Sequence, residues 1–132
     1  SGEVVESETG YITFDFPVVN AWKLIGNCTP VPLKLKDFKV DETTLGNKNF
    51  TIKKFAGTSA IEFQARWVST TTVNALKKAQ PQVYADLEPG WHKFVNNKVD
   101  YFQPVGTTDI APGEGVLAMA AGATSVTIPS AL

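Results

Sequence analysis

The sequence predicts a mainly β protein, an antiparallel β-sandwich or a partly open barrel with one short helix. Short segments in which apolar and polar residues alternate recur at spacings of roughly ten residues. Gly, Pro and Asn stand between these segments, and only one stretch carries helix signals. A chain of 132 residues is long enough for one hydrophobic core. We therefore expect a flexible segment over residues 1–10 and a single β-domain over residues 11–132.

The first predicted strands lie close to the N-terminus. In Tyr11–Phe16 the side chains of Ile12, Phe14 and Phe16 fall on one face, with polar residues between them. This alternation is typical of a strand that is buried on one side. Trp22–Ile25 predicts a second short strand, because Gly and Asn follow it directly.

Three further strand segments follow in the first half of the chain. The alternation in Val31–Val40 shifts by one residue at Asp37, which predicts a β-bulge or two abutting strands. Phe50–Phe55 is the next strand, and Ile61–Trp67 has the most regular alternation of all. Its apolar positions are expected to face the core, namely Ile61, Phe63, Ala65 and Trp67.

The helix signals are confined to residues 72–79. Ser69 or Thr70 precedes this segment as a candidate cap, two lysines lie near its end, and Pro81 follows. After it, Gln82–Leu87 alternates and is predicted to pair with Trp91–Val95 as a hairpin.

The Gly113-Glu-Gly115 sequence has two interpretations, a phosphate-binding loop or a turn. A dinucleotide fingerprint accepts Ala118 at its third glycine position but needs a following βαβ unit, for which too few residues remain. No Gly-Lys-Ser/Thr of a Walker loop occurs in the sequence. We therefore assign Pro112 and Gly113 to the centre of a turn and Val116–Ala120 to a buried strand.

Residue types that carry chemistry are sparse. His92 is the only histidine and has no second His or Cys near it in sequence, so we expect a surface histidine rather than a zinc ligand. Cys28 is the only cysteine, and no adjacent base or positive charge favours a thiolate. We expect it to be a buried small hydrophobic residue. The sequence implies no cofactor and no metal ion, and we expect no enzymatic activity.

The charge balance narrows the choice of partners. The sequence has 12 Lys and Arg against 13 Asp and Glu, a net charge of −1. Such a balance argues against a nucleic-acid partner. Acidic residues nevertheless cluster at the start (Glu3, Glu6 and Glu8), whereas lysines dominate residues 34–54. No run of about 18 apolar residues occurs, so we expect no transmembrane segment.

The aromatic residues give one binding hypothesis. Trp67 is in phase with the apolar face of its strand and is expected in the core. Trp91, beside a Pro-Gly turn, and Tyr101 are expected at the surface, where they and Tyr84 would stack against a sugar ring. A carbohydrate- or ligand-binding β-sandwich module, with a glycan as partner, is therefore the alternative function.

Four segments resemble, in the same order, motifs of functionally uncharacterised secreted bacterial β-rich proteins. They are Thr9–Ile12 (TGYI), Trp22–Asn27 (WKLIGN), Ile110–Val116 (IAPGEGV) and Ser125–Ile128 (SVTI). The likeness spans both ends of the chain but not residues 40–80. Cys28 stands where proline is usual, and Val116-Leu117 stands where aromatic residues are usual.

The resemblance implies an exported protein, secreted or at the bacterial cell surface, whose Ser1 end is a signal-peptidase product. It implies no catalytic residues. We therefore expect a structural protein that forms a homo-oligomer or polymer, such as an envelope or filament assembly, through its strand edges. The acidic residues 1–8 would lead into the strand that assembles, which comprises Tyr11, Ile12, Phe14 and Phe16.

Overall fold

Antiparallel sheets packed face to face make up the structure, a computed structural model that describes residues 4–6, 10–57 and 60–130. The described chain is 48% strand and 14% helix, which confirms the predicted mainly β, sandwich-like fold. The strands in chain order are β1 (Val4–Glu6), β2 (Tyr11–Phe16), β3 (Lys23–Gly26), β4 (Leu33–Lys34), β5 (Lys39–Val40), β6 (Phe50–Ala56), β7 (Ala60–Val68), β8 (Gly90–Val95), β9 (Lys98–Pro104), β10 (Asp109–Ile110), β11 (Gly115–Ala120) and β12 (Thr124–Pro129).

These strands form two main sheets and a small ribbon. One sheet has the order β1-β2-β12-β5, the other has the order β3-β11-β6-β7-β8-β9, and β4 pairs with β10. All of the described pairings are antiparallel. In the described chain, the six-stranded sheet therefore has β3 at one edge and β9 at the other.

The hydrophobic core lies between the two main sheets. Alternate residues of β2 point into it, so that Ile12, Phe14 and Phe16 are buried as predicted. They meet residues of the facing sheet: the rings of Phe16 and Phe50 contact edge to face, with their centroids 5.0 Å apart. Such contacts add to the stability given by apolar burial.

The predicted helix is α2 (Thr70–Ala79), and Ser69 is its cap because its side chain accepts a hydrogen bond from Thr72 N. A second helix, α1 (Glu42–Leu45), was not predicted, since it is only four residues long. The shift in alternation at Asp37 corresponds to a 3-10 turn over Leu35–Asp37, which separates the two-residue strands β4 and β5.

Two predictions about strands need correction. Gln82–Leu87 is a series of turns and not a strand, and β8 instead forms a hairpin with β9. Asn96 and Asn97 both have positive φ, as the two-residue turn of that hairpin requires. In β7, Ile61 is 49% exposed, not buried, because it lies beyond a register shift between β6 and β7.

The expected flexible segment over residues 1–10 lies mostly outside the described residues. Within it, Val4–Glu6 forms β1 and pairs with β2. Across the residues that the structure describes, no helix is long and apolar enough to span a membrane.

Candidate functional site

A cavity of about 460 Å³ opens where the loop of residues 81–89 meets β8 and β9. Its volume falls within the range of roughly 300–1,000 Å³ that is usual for small-molecule sites. We refer to it as the aromatic pocket, because its walls carry Tyr84, Trp91, Tyr101 and Phe102 beside His92. The structure thus brings together all three residues that the sequence suggested for ligand binding.

The aromatic rings of the pocket support one another. Tyr84 and Phe102 stack with an interplanar angle of 5° and centroids 5.7 Å apart. Tyr101 meets Tyr84 edge to face, with centroids 6.0 Å apart. Phe102 is 66% exposed although it is fully apolar, so its ring forms an open platform at the rim.

The loop that carries Tyr84 is anchored by a small hydrophobic cluster. Val68 of β7, Val73 of α2 and Leu87 of the loop are buried together, and Tyr84 and Tyr101 pack against them. Because α2 and the loop share this cluster, the helix holds Tyr84 against the sheet.

Trp91 is buried, with an exposed fraction of 2%, so the expectation of a surface residue was wrong. Its indole N–H donates to the carbonyl oxygen of Phe38 at 2.9 Å. Its ring also meets Phe50 and Trp67 edge to face. Trp91 therefore forms the floor of the pocket and belongs to the core, where Trp67 packs as expected.

His92 is buried as well, with an exposed fraction of 3%, which corrects the expectation of a surface histidine. Its Nδ1 lies 3.1 Å from the carbonyl oxygen of Gly90. Because a carbonyl can only accept, Nδ1 carries the hydrogen of the neutral ring and Nε2 is left as an acceptor. The sequence prediction failed because it placed this residue in a hairpin with the wrong partner.

The Nε2 atom of His92 has no hydrogen-bond partner among the described residues, yet it is not sealed off. No side-chain nitrogen or oxygen in the described chain is both buried and without a partner. The residue lines the cavity, so Nε2 is accessible there. Burial lowers the pKa of the imidazole, and the Gly90 hydrogen bond and the charge of Asp100 only partly oppose this.

Charged side chains of both signs surround the pocket. Lys36 and Lys39 lie on one side, and Asp86 and Glu88 lie on the loop. All four are exposed. The pocket therefore has no excess of either charge.

A second candidate surface lies at β3, at the opposite edge of the six-stranded sheet. Asn27 N donates to Glu114 O at 2.8 Å, so the alternation of an antiparallel ladder directs the backbone N–H and C=O of Leu24 away from β11. Leu24 is 59% exposed and Trp22 is 40% exposed. With Val18 they line a groove of about 810 Å³, and we refer to these three residues as the β3 surface.

The strand expected to assemble, β2, does not lie at a sheet edge. It pairs with β1 on one side and β12 on the other. Ile12, Phe14 and Phe16 face the core, and only Tyr11 of the expected set is exposed. Within the part of the chain that the structure describes, β3 instead has an open edge.

Two remaining expectations concern cysteine and metal. Cys28 is exposed, not buried, and its thiol donates to the carbonyl oxygen of Gly26 at 3.6 Å.

Within the described ranges, no group of three or more His, Cys, Asp or Glu side chains could hold a metal ion.

Comparison of the chain with models of protein families, with curated proteins and with solved structures found no match. The proposed function consequently rests on the fold and on the local geometry alone.

Proposed function

We propose that the chain is a non-enzymatic structural or surface protein, exported by a bacterium, whose copies self-associate through strand edges. The observation that carries the proposal is the open edge of β3. There, among the described residues, the backbone N–H and C=O of Leu24 have no strand partner, and Trp22 and Leu24 expose apolar surface. Such an edge is a template for pairing with another chain.

The other sheet edges are less suited to pairing. β9 contains a register shift against β8, a turn in which Asp100 accepts from Phe102 N, and Pro104. These features interrupt a strand ladder. β5 has only two residues. At β3, Lys23 would be the protective charge, but its ammonium group folds back to the carbonyl oxygen of Asp15 and over the ring of Phe16.

Charge favours β1 of a second copy as the occupant of the β3 edge. β1 is the outermost strand of the four-stranded sheet, and the sequence around it is acidic through Glu3, Glu6 and Glu8. Lys53, whose ammonium group lies 4.2 Å from the centroid of the Trp22 ring, supplies positive charge beside the β3 surface. A contact between two different edges is heterologous, so it can propagate from copy to copy into a ring or a filament.

The decisive variant is Leu24→Glu, which places a negative charge on the β3 edge. We expect it to reduce self-association because the new carboxylate would repel the acidic segment around β1 and would be buried against a neighbouring strand. Ile61→Glu is the matched control, since Ile61 is similarly exposed at 49% but lies on β7. Sedimentation velocity over roughly a hundredfold range of concentration, with electron microscopy, measures the outcome. A wild type that stays monomeric throughout, or equal losses in both variants, contradicts the proposal.

Export is tested separately. Immunoblots of cytoplasmic, envelope and medium fractions from the native host should find the protein outside the cytoplasm. Recovery in the cytoplasmic fraction alone would contradict that part of the proposal.

A further inference from the structure

The aromatic pocket contains a hydrogen-bond acceptor, Nε2 of His92, that no described residue pairs. His92 is 3% exposed and its Nδ1 donates to the carbonyl oxygen of Gly90, so its accessible Nε2 is fixed in position. A fixed acceptor of this kind indicates a ligand-binding role. Leaving such an atom unpaired when a ligand displaces water costs free energy. A ligand that fits the pocket therefore has a hydrogen-bond donor at this place.

We propose that the aromatic pocket binds an uncharged ring rich in hydroxyl groups, such as a sugar residue, and that Nε2 of His92 accepts a hydrogen bond from one ligand hydroxyl. This site is additional to self-association. It lies by β8 and β9, whereas the β3 surface is at the other edge of the sheet.

The aromatic walls supply the apolar part of the recognition. One face of the Phe102 ring is covered by Tyr84, and because Phe102 is 66% exposed, its other face is open to a ligand. Sugar rings have apolar C–H faces that bury surface against such platforms.

The polar groups favour a hydroxyl-rich ring over a plain aromatic compound. Within the described residues, the hydroxyls of Tyr84 and Tyr101 have no hydrogen-bond partner, and both residues line the cavity with His92. A ring without hydrogen-bonding groups would leave all three atoms unpaired. The balance of Lys36 and Lys39 against Asp86 and Glu88 gives no reason for a charged ligand to be preferred.

The test is an NMR titration of the wild type with glucose-, mannose-, galactose- and N-acetylglucosamine-based tetrasaccharides, with toluene as the probe that has no hydrogen-bonding group. The chain has one histidine, so the imidazole ¹⁵N signals report on His92 without ambiguity. We expect an Nδ1–H tautomer in the free protein and a shift of the Nε2 signal with at least one tetrasaccharide. An Nε2–H tautomer, binding of toluene alone, or no response to any tetrasaccharide overturns the proposal.

Variants then separate the parts of the site. His92→Phe removes the acceptor, and Phe102→Ala removes the exposed aromatic platform. Because Phe102 is 66% exposed, we expect Phe102→Ala to fold normally. We expect each to raise Kd about fivefold to tenfold. Val95→Ala, exposed on the same hairpin but outside the pocket, should leave Kd unchanged. The role of His92 would be refuted if Phe102→Ala weakened sugar binding while the sugar left the Nε2 signal of the wild type unmoved. Because the β3 edge is remote, failure of self-association would not affect these outcomes.

Discussion

Gly113 and Gly115 are only two residues apart, yet they are needed for different reasons. Gly113 has φ of 82° and occupies the third position of a turn in which Glu114 N donates to Ala111 O. Its surroundings are open. Gly115 is instead in close contact with β3, and a Cβ there would overlap the carbonyl oxygen of Ile25. The sequence predicted the turn, but this close approach depends on the pairing of strands distant in sequence.

Gly115→Ala should therefore destabilise the protein more than Gly113→Ala. The backbone of Ile25 has to move in the first variant, at a cost of about 2–3 kcal/mol. The second strains only a left-handed residue, at about 1 kcal/mol. Urea denaturation followed by tryptophan fluorescence measures both. Equal free energies of unfolding would show that β3 and β11 adjust to the methyl group.

At the scale of elements, α2 is held to the sheet at its N-terminus. Ser69 caps the helix, and the Glu42 carboxylate accepts hydrogen bonds from Thr70 N and from the Trp67 indole at 2.8 Å. Short α1, which the sequence did not predict, is what positions Glu42. The cap thus links both helices to β7.

Ser69→Ala should lower the free energy of unfolding by about 1 kcal/mol, because Thr72 N loses its acceptor. Thr71→Ala, on an exposed position of the same turn, is the control and should change it little. Thermal denaturation by circular dichroism compares them. A similar loss in both variants would mean that removal of a hydroxyl side chain in this turn, rather than of the cap itself, lowers the stability of α2.

Local alternation predicted β2 and β7 because each of these strands has one face in a core that neighbouring strands complete. It failed for Gln82–Leu87, where Val83 is 50% exposed and Leu87 is buried in a turn by α2. The sequence indicated Trp91, Tyr101 and Tyr84 as binding residues because they are aromatic and because Trp91 lies beside a Pro-Gly turn. Their meeting in one cavity depends on that loop folding over the β8–β9 hairpin, which no local pattern encodes.

At the scale of the whole molecule, the buried imidazole links stability to pH. Burial lowers the pKa of His92 in the folded state, whereas the unfolded chain keeps a value of about 6.5. Between these two values the unfolded state binds more protons, so stability is full above about pH 6.5 and falls as the pH drops through this window. Arg66 lies opposite His92 on β7, and the charge of Asp100 on β9 acts to raise the pKa of His92.

Asp100 also has a lowered pKa, chiefly through its hydrogen bonds from Gln103 and Phe102, but its contribution is lost only at more acidic pH. The decline from about pH 6.5 to about pH 5 is therefore assigned to His92. The melting temperature of the wild type should fall over this range, and that of His92→Gln should change less, whatever its absolute value. A wild-type melting temperature that rises towards pH 5 would mean that the folded protein stabilises the imidazolium, and with it that Nε2 donates rather than accepts in the pocket.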